Sequence, residues 1–326
     1  MGRLARSLFG ISAREVSFDV RGFHGEGAAR HHLETVGGAF VAGYNHGLEA
    51  RDLADLEARL GSVPRERLGF AYEGAAMAVA LLDAVQPWRR AQLPAFLAGP
   101  SAPHVYLAYV GIGWAIARLP LGRERRLLAL DPVLRWLAID GWGFHEAFFH
   151  PQRAVYRQAV PSRFQGYARR AFDHGVGRSL WFVEGAGAER IAATIGRFAP
   201  ERHSDLWSGV GLASAYAGGV PRTELERLRS LAGAHLPALA QGVVFANKAR
   251  MVADNVTPET ALACDVFCGL DPEAVLELND ELGESLPPDA EIPAYEVWRR
   301  RIQEAFTQPE GVERWTRVRA LSAATR

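Results

Sequence analysis

The chain has 326 residues, 48% of them hydrophobic, and a formal net charge of zero. That is ample material for a large core and excludes a disordered tail or linker protein. No basic block interleaves with aromatic residues, so a nucleic-acid role finds no support.

Lys248 is the only lysine among 37 basic residues, which fits GC-rich codon usage and leaves one amine in the chain. Cys264 and Cys268 are too few for a disulfide framework or a closed zinc site and read as core thiols. Met1–Glu15 lacks a signal-type apolar run, which with reduced thiols points to the cytoplasm. The longest apolar stretch, Val105–Leu119, is short for a membrane span and contains Gly111 and Gly113. It reads as a buried helix.

In chain order, residues 1–24 form an N-terminal arm. The alternation Val16-Ser17-Phe18-Asp19-Val20 predicts a short strand there. Gly22–Gly27 reads as a turn into a helix. From residue 25 to 326 the signals are those of a single α-helical repeat domain. Leu53, Leu56 and Leu60 fall at helical spacing before Pro64 and the segment Phe70–Val85. Ile191, Ile195 and Phe198 do the same before Pro200 and Trp207–Ala217. Asp131, Thr257 and Asp271 each precede a proline suited to the first helical position. Thr223 and Glu226 form a capping-box pair, and Gly175, Gly218–Gly219 and Gly269 are helix stops. A last helical pair is predicted over Ala294–Phe306 and Gly311–Leu321.

The pattern aromatic-x-x-x-Gly-x-Ala-x-Ala recurs from Phe70, Tyr109 and Trp207. Self-similarity at such spacings marks stacked helical units. Small residues on more than one face let neighbouring backbones approach closely, so Gly74 and Gly211 are predicted helix–helix contacts. The fold class is therefore all-α, with repeated helical hairpins packed as a solenoid or toroid.

When the units are aligned on their aromatic residue, Glu73 and Glu184 fall three places later. Lys248 falls there after Phe245, and Glu146 fits loosely. Such charges either satisfy one another, as buried charges must, or line one cavity equipped for acid–base work. The segment Trp142–His150 is the densest polar–aromatic cluster. His145 and His150 do not have the His-x-x-x-His spacing of zinc proteases, so no metal is expected. A flat polycyclic or polyene ligand would find stacking partners and proton-transfer groups there. The candidate catalytic residues are Glu73, His145, Glu146, Glu184 and Lys248. Tyr72, Trp142, Phe144, Trp181 and Trp207 are the candidate substrate-binding residues. No phosphate loop, dinucleotide fingerprint or nucleophile elbow occurs in a strand–helix setting, so no cofactor is expected.

Gly69–Met77, Asp140–Glu146, Gly177–Gly185 and Leu206–Gly211, with the opening Gly2–Ile11, resemble an uncharacterised bacterial family catalogued as a domain of unknown function (DUF1702). The resemblance runs from the N-terminus to about Phe306. It implies a place in enediyne-type polyketide biosynthesis, since members of that family sit in such gene clusters. It further implies an action on a polyene or polycyclic intermediate, for some relatives cofactor-free carbon–carbon bond formation. The two functions carried forward are a cofactor-independent biosynthetic enzyme and a non-catalytic module. The module would shield a polyene intermediate or dock a polyketide synthase. An unpaired acid facing a cavity favours the enzyme, and mutually paired charges favour the module.

Overall fold

A computed structural model describes residues 2–86, 88, 91–307 and 315. Among them every regular element is a helix. Seven long helices form the body: α1 (Gly27–Glu49), α2 (Leu68–Val85), α3 (Val105–Arg118), α4 (Arg135–Phe149), α5 (Tyr167–Val183), α6 (Pro200–Tyr216) and α7 (Leu236–Val252). Each packs on the next in the chain, from α1 on α2 through to α6 on α7. A further helix, α8 (Ala294–Thr307), packs on α7. The second half of the predicted last pair, Gly311–Leu321, lies outside the described residues apart from Trp315.

The packing is closest where glycine faces a carbonyl. A Cβ added to Gly175 of α5 would sit 1.9 Å from the Asp140 carbonyl oxygen of α4. One added to Gly143 of α4 would sit 2.0 Å from the Phe172 carbonyl oxygen of α5. The two contacts are reciprocal, and only glycine lets both backbones come this close. The same exchange joins α3 to α4 through Gly113 and Gly141, α5 to α6 through Gly177 and Gly209, and α6 to α7 through Gly211 and Gly242. Gly43 and Gly74 repeat it between α1 and α2. The expected close contacts at Gly74 and Gly211 are therefore present. Gly175, read from the sequence as a helix stop, lies inside α5, because its missing side chain serves this contact rather than a turn.

Other boundaries follow local chemistry. Thr257 and Asp271 cap their helices by accepting from the N–H groups of Thr260 and Ala274. The Thr223–Glu226 box does not form, since Pro221 holds the cap position and Thr223 falls in the first turn. Gly269 ends a helical segment in the left-handed region, where glycine meets no penalty. Val105–Leu119 is a buried helix as its composition implied. Among the described residues one segment, Arg65–Val85, is long and apolar enough to cross a membrane, but most of it is buried between α1 and α3. Both cysteines are buried and form no disulfide.

The predicted N-terminal strand is absent among the described residues. Ala13–Val16 is a 3-10 turn and Phe18–Arg21 a short helix that stops at Gly22, φ 66°. The alternation arises because Val16 and Phe18 both anchor this segment to α1. Val16 packs against Gly37, while the Phe18 N–H is taken by the Glu34 carboxylate at 2.9 Å instead of a neighbouring strand.

Candidate functional site

A concavity of about 1080 Å³ opens where the N-terminal segment crosses the C-terminal ends of α3 and α4. An adjoining concavity of about 1010 Å³ shares Arg21, Phe149, His150 and Arg153 as its wall. Helix α4 is interrupted here for a definite reason. Pro151 follows its last residues and the chain makes one wide π-helical turn over Gln152–Tyr156. That turn swings Arg153 back over Glu146, and the two side chains pair.

Trp142, His145 and Glu146 line this cleft together. His145 Nδ1 lies 3.7 Å from Glu146 Oε1, within ion-pair range but too far for a hydrogen bond, and it has no other partner. Burial pushes the imidazole below its usual pKa against the opposing pull of Glu146, so His145 is neutral near pH 7. Burial would raise the Glu146 carboxyl, but His145 and Arg153 outweigh it and hold the group below its ordinary value. The cleft wall thus carries a neutral histidine, its Nδ1 buried and unbonded, beside an ionised carboxylate. Trp142 is almost wholly buried, with the guanidinium carbons of Arg123 and Arg163 lying 4.9 and 5.5 Å from its ring centroid. Its ring carries arginines rather than presenting a bare stacking face. Half-buried Phe149, which sequence reasoning passed over, is the aromatic wall of the cleft.

The other candidates are dispersed. Glu184 lines the adjoining concavity, where it accepts from Thr194 Oγ1 at 2.8 Å and faces His24 Nδ1 at 3.0 Å. Lys248 pairs with Asp280 at 2.7 Å beside an apolar cavity of about 40 Å³. Tyr72 stacks on His104 at 4.5 Å in a satellite cluster with Phe96. Trp181 is fully buried and donates its indole N–H to the Gly218 carbonyl at 3.0 Å, while Trp207 is part of the main core. The four aligned charges, Glu73, Glu146, Glu184 and Lys248, therefore border four different cavities.

Glu73 has the most unusual setting. It lines a cavity of about 30 Å³, room for about one water molecule, otherwise walled by apolar residues that include Trp114, Phe144 and Phe182. Its Oε1 is buried without a hydrogen-bond partner. Burial raises its pKa to about 8 despite the charge of Arg178, so it keeps its proton at neutral pH. Phe149 and Ile11 border both this inner cavity and the cleft, and so form the partition between them.

Sequence reasoning missed a buried polar ladder. Asp140 accepts from both His174 and Arg178, with all three side chains at most 5% exposed. Further along, Ser208 donates to Gln241 at 2.7 Å, and Arg299 donates to the same Gln241 oxygen at 3.0 Å. Arg299 also pairs with Asp205 at 2.9 Å. The signal was available: Glu73, Asp140, His174, Ser208 and Gln241 each stand immediately before a glycine that meets the preceding long helix. Among the described residues no group of three or more His, Cys, Asp or Glu side chains could hold a metal ion.

No curated protein and no solved structure matches the chain. Residues 1–306 match the family described as "Protein of unknown function (DUF1702)", and the chain belongs to that family.

Proposed function

We propose that the protein is a cofactor-independent enzyme of enediyne-type polyketide biosynthesis that works on a polyene or polycyclic intermediate in the His145–Glu146 cleft. The observation that carries this reading is the neutral His145 on the wall of the cleft of about 1080 Å³, beside the ionised Glu146. Such an imidazole accepts a proton from a carbon acid and so generates the nucleophile for carbon–carbon bond formation. Glu146 stabilises the imidazolium that results, and His145 returns the proton to the product. Phe149 packs against the substrate and helps orient it, which alone supplies much of such a barrier. We further read the succession from α1 to α7 as a solenoid or toroid whose axis carries the polar ladder, working in the cytoplasm.

The second reading is a binding module that shields a polyene intermediate or docks a polyketide synthase. The ion pairs of Glu146 and Lys248, and the contact of Glu184 with His24, favour it. His145→Asn in a complemented deletion strain separates the two. As a catalytic base, its loss lowers product formation about 100-fold or more with little change in melting temperature. Full product from this variant would leave only the module.

A further inference from the structure

In a chain of zero net charge, the main cleft is strongly cationic: five arginines line it against two glutamates. Two of the five are neutralised, Arg21 by Glu15 at 2.5 Å and Arg153 by Glu146. Arg118, Arg123 and Arg163 have no carboxylate partner among the described residues. Three buried arginines elsewhere do, since Arg178 has Asp140, Arg202 has Asp173 and Arg299 has Asp205, while buried Arg250 is held by the Glu66 and Tyr216 carbonyls instead. The cleft therefore gathers three guanidiniums without a carboxylate at one opening.

The three are also held in different ways. Arg123 is half-buried and anchored by the Leu119 and Ala117 carbonyls through Nε and Nη2, so its Nη1 stays available. Burial and the like charge of Arg163 both disfavour its charged form. Arg163 is exposed and packs on the Trp142 ring, and Arg118 is exposed at the end of α3. Like charges gathered around one indole repel each other, and an anion between them relieves that repulsion. Guanidinium forks match the planar oxygens of a carboxylate or the face of a phosphate group.

We infer that this cleft binds an oxyanion, a carboxylate or phosphate ester at one end of its ligand, through Arg123 and Arg163 with Arg118 at the rim. The inference rests on the proposed function for the rest of the ligand, an apolar ring system lying toward Phe149 and His145. The anion then fixes which carbon of that system faces His145.

The test uses the full chain and titration calorimetry with anthracene-2-carboxylate, its methyl ester, 2-naphthyl phosphate and inorganic phosphate. The acid or the phosphate ester should bind about tenfold or more tightly than the neutral ester, as loss of a charge-assisted pair implies. Whichever of the two binds more tightly identifies the source of the oxyanion. Higher salt should narrow the gap. Arg163→Gln and Arg123→Gln should abolish the preference, and Arg229→Gln, at an exposed position outside the cleft, should preserve it. Equal binding of acid and ester, or a preference that survives both variants, overturns the anion site and leaves the proposed function standing. Arginine-dependent binding of inorganic phosphate without any ring-bearing ligand keeps the anion site and removes the proposed ligand class. No binding by any probe removes both.

Discussion

Asp140 and Glu146 stand on the same helix, each paired to an arginine, yet the two pairs are built for different work. Asp140 and Arg178 are both almost fully buried, and His174 holds the second carboxylate oxygen. Glu146 is buried too, but Arg153 is 60% exposed in its side chain and comes from a wide π-helical turn. A pair sealed on both sides cannot exchange partners with water or ligand, so its role is structural. A pair open on one side contributes little to stability and can be rearranged by what binds. The inner face of α4 therefore specifies the packing, while its outer end, with neutral His145, is free to take part in chemistry.

The largest effect that should sharpen this contrast is on the inner face. Asp140→Ala leaves Arg178 buried and uncompensated and should cost about 3–5 kcal/mol in urea unfolding. Glu146→Ala should cost no more than about 1 kcal/mol by the same measurement. Equal losses would end the distinction between the two pairs. A smaller effect is expected where the backbones touch. Gly175→Ala places a methyl group 1.9 Å from the Asp140 carbonyl oxygen, so α4 and α5 must separate. Overpacking of this kind should cost about 1–3 kcal/mol. An unchanged melting temperature would show that the crossing can yield, and the ladder beneath it would lose its rigid frame.

This crossing also explains what could be read from the sequence. Helices, buried apolar segments and the close contacts at Gly74 and Gly211 were legible because composition and spacing encode them locally. The charge repeat was legible only in part. Alignment on aromatic residues grouped Glu73 with Glu146, Glu184 and Lys248, but rings fill gaps of varying size and do not fix register. A glycine facing a carbonyl does fix it, since no other residue fits. In that register Glu73 belongs with Asp140, His174, Ser208 and Gln241. The cleft was illegible for another reason. Its walls come from the N-terminal segment, the end of α3 and the loop before α5, brought together by packing that no local pattern records. His145, Glu146 and Trp142 were found because their own segment is dense in polar and aromatic residues.

Glu73 is the place where the two faces meet, sealed in the core in a cavity that shares Phe149 and Ile11 with the cleft. Its pKa of about 8 sets the sign of a pH effect. The folded chain keeps this proton up to about pH 8, whereas the unfolded chain releases it near its ordinary value of 4.5. Across that window unfolding releases a proton, so this contribution to stability is complete below pH 4.5 and is lost as pH rises through 8. The slope is about 1.4 kcal/mol per pH unit where the native group is fully protonated and the unfolded one is not. Glu73→Gln keeps the shape and most of the polarity but cannot titrate. Its stability should therefore fall less than that of the parent between pH 5 and 8. Denaturation at pH 5, 6.5 and 8 measures this directly. Parallel curves would mean that Glu73 is ionised in the fold, and the protonated acid behind Phe149 would have to be given up. Converging curves together with lost product in the Gln variant would instead make Glu73 a proton donor that a substrate reaches once Phe149 moves aside.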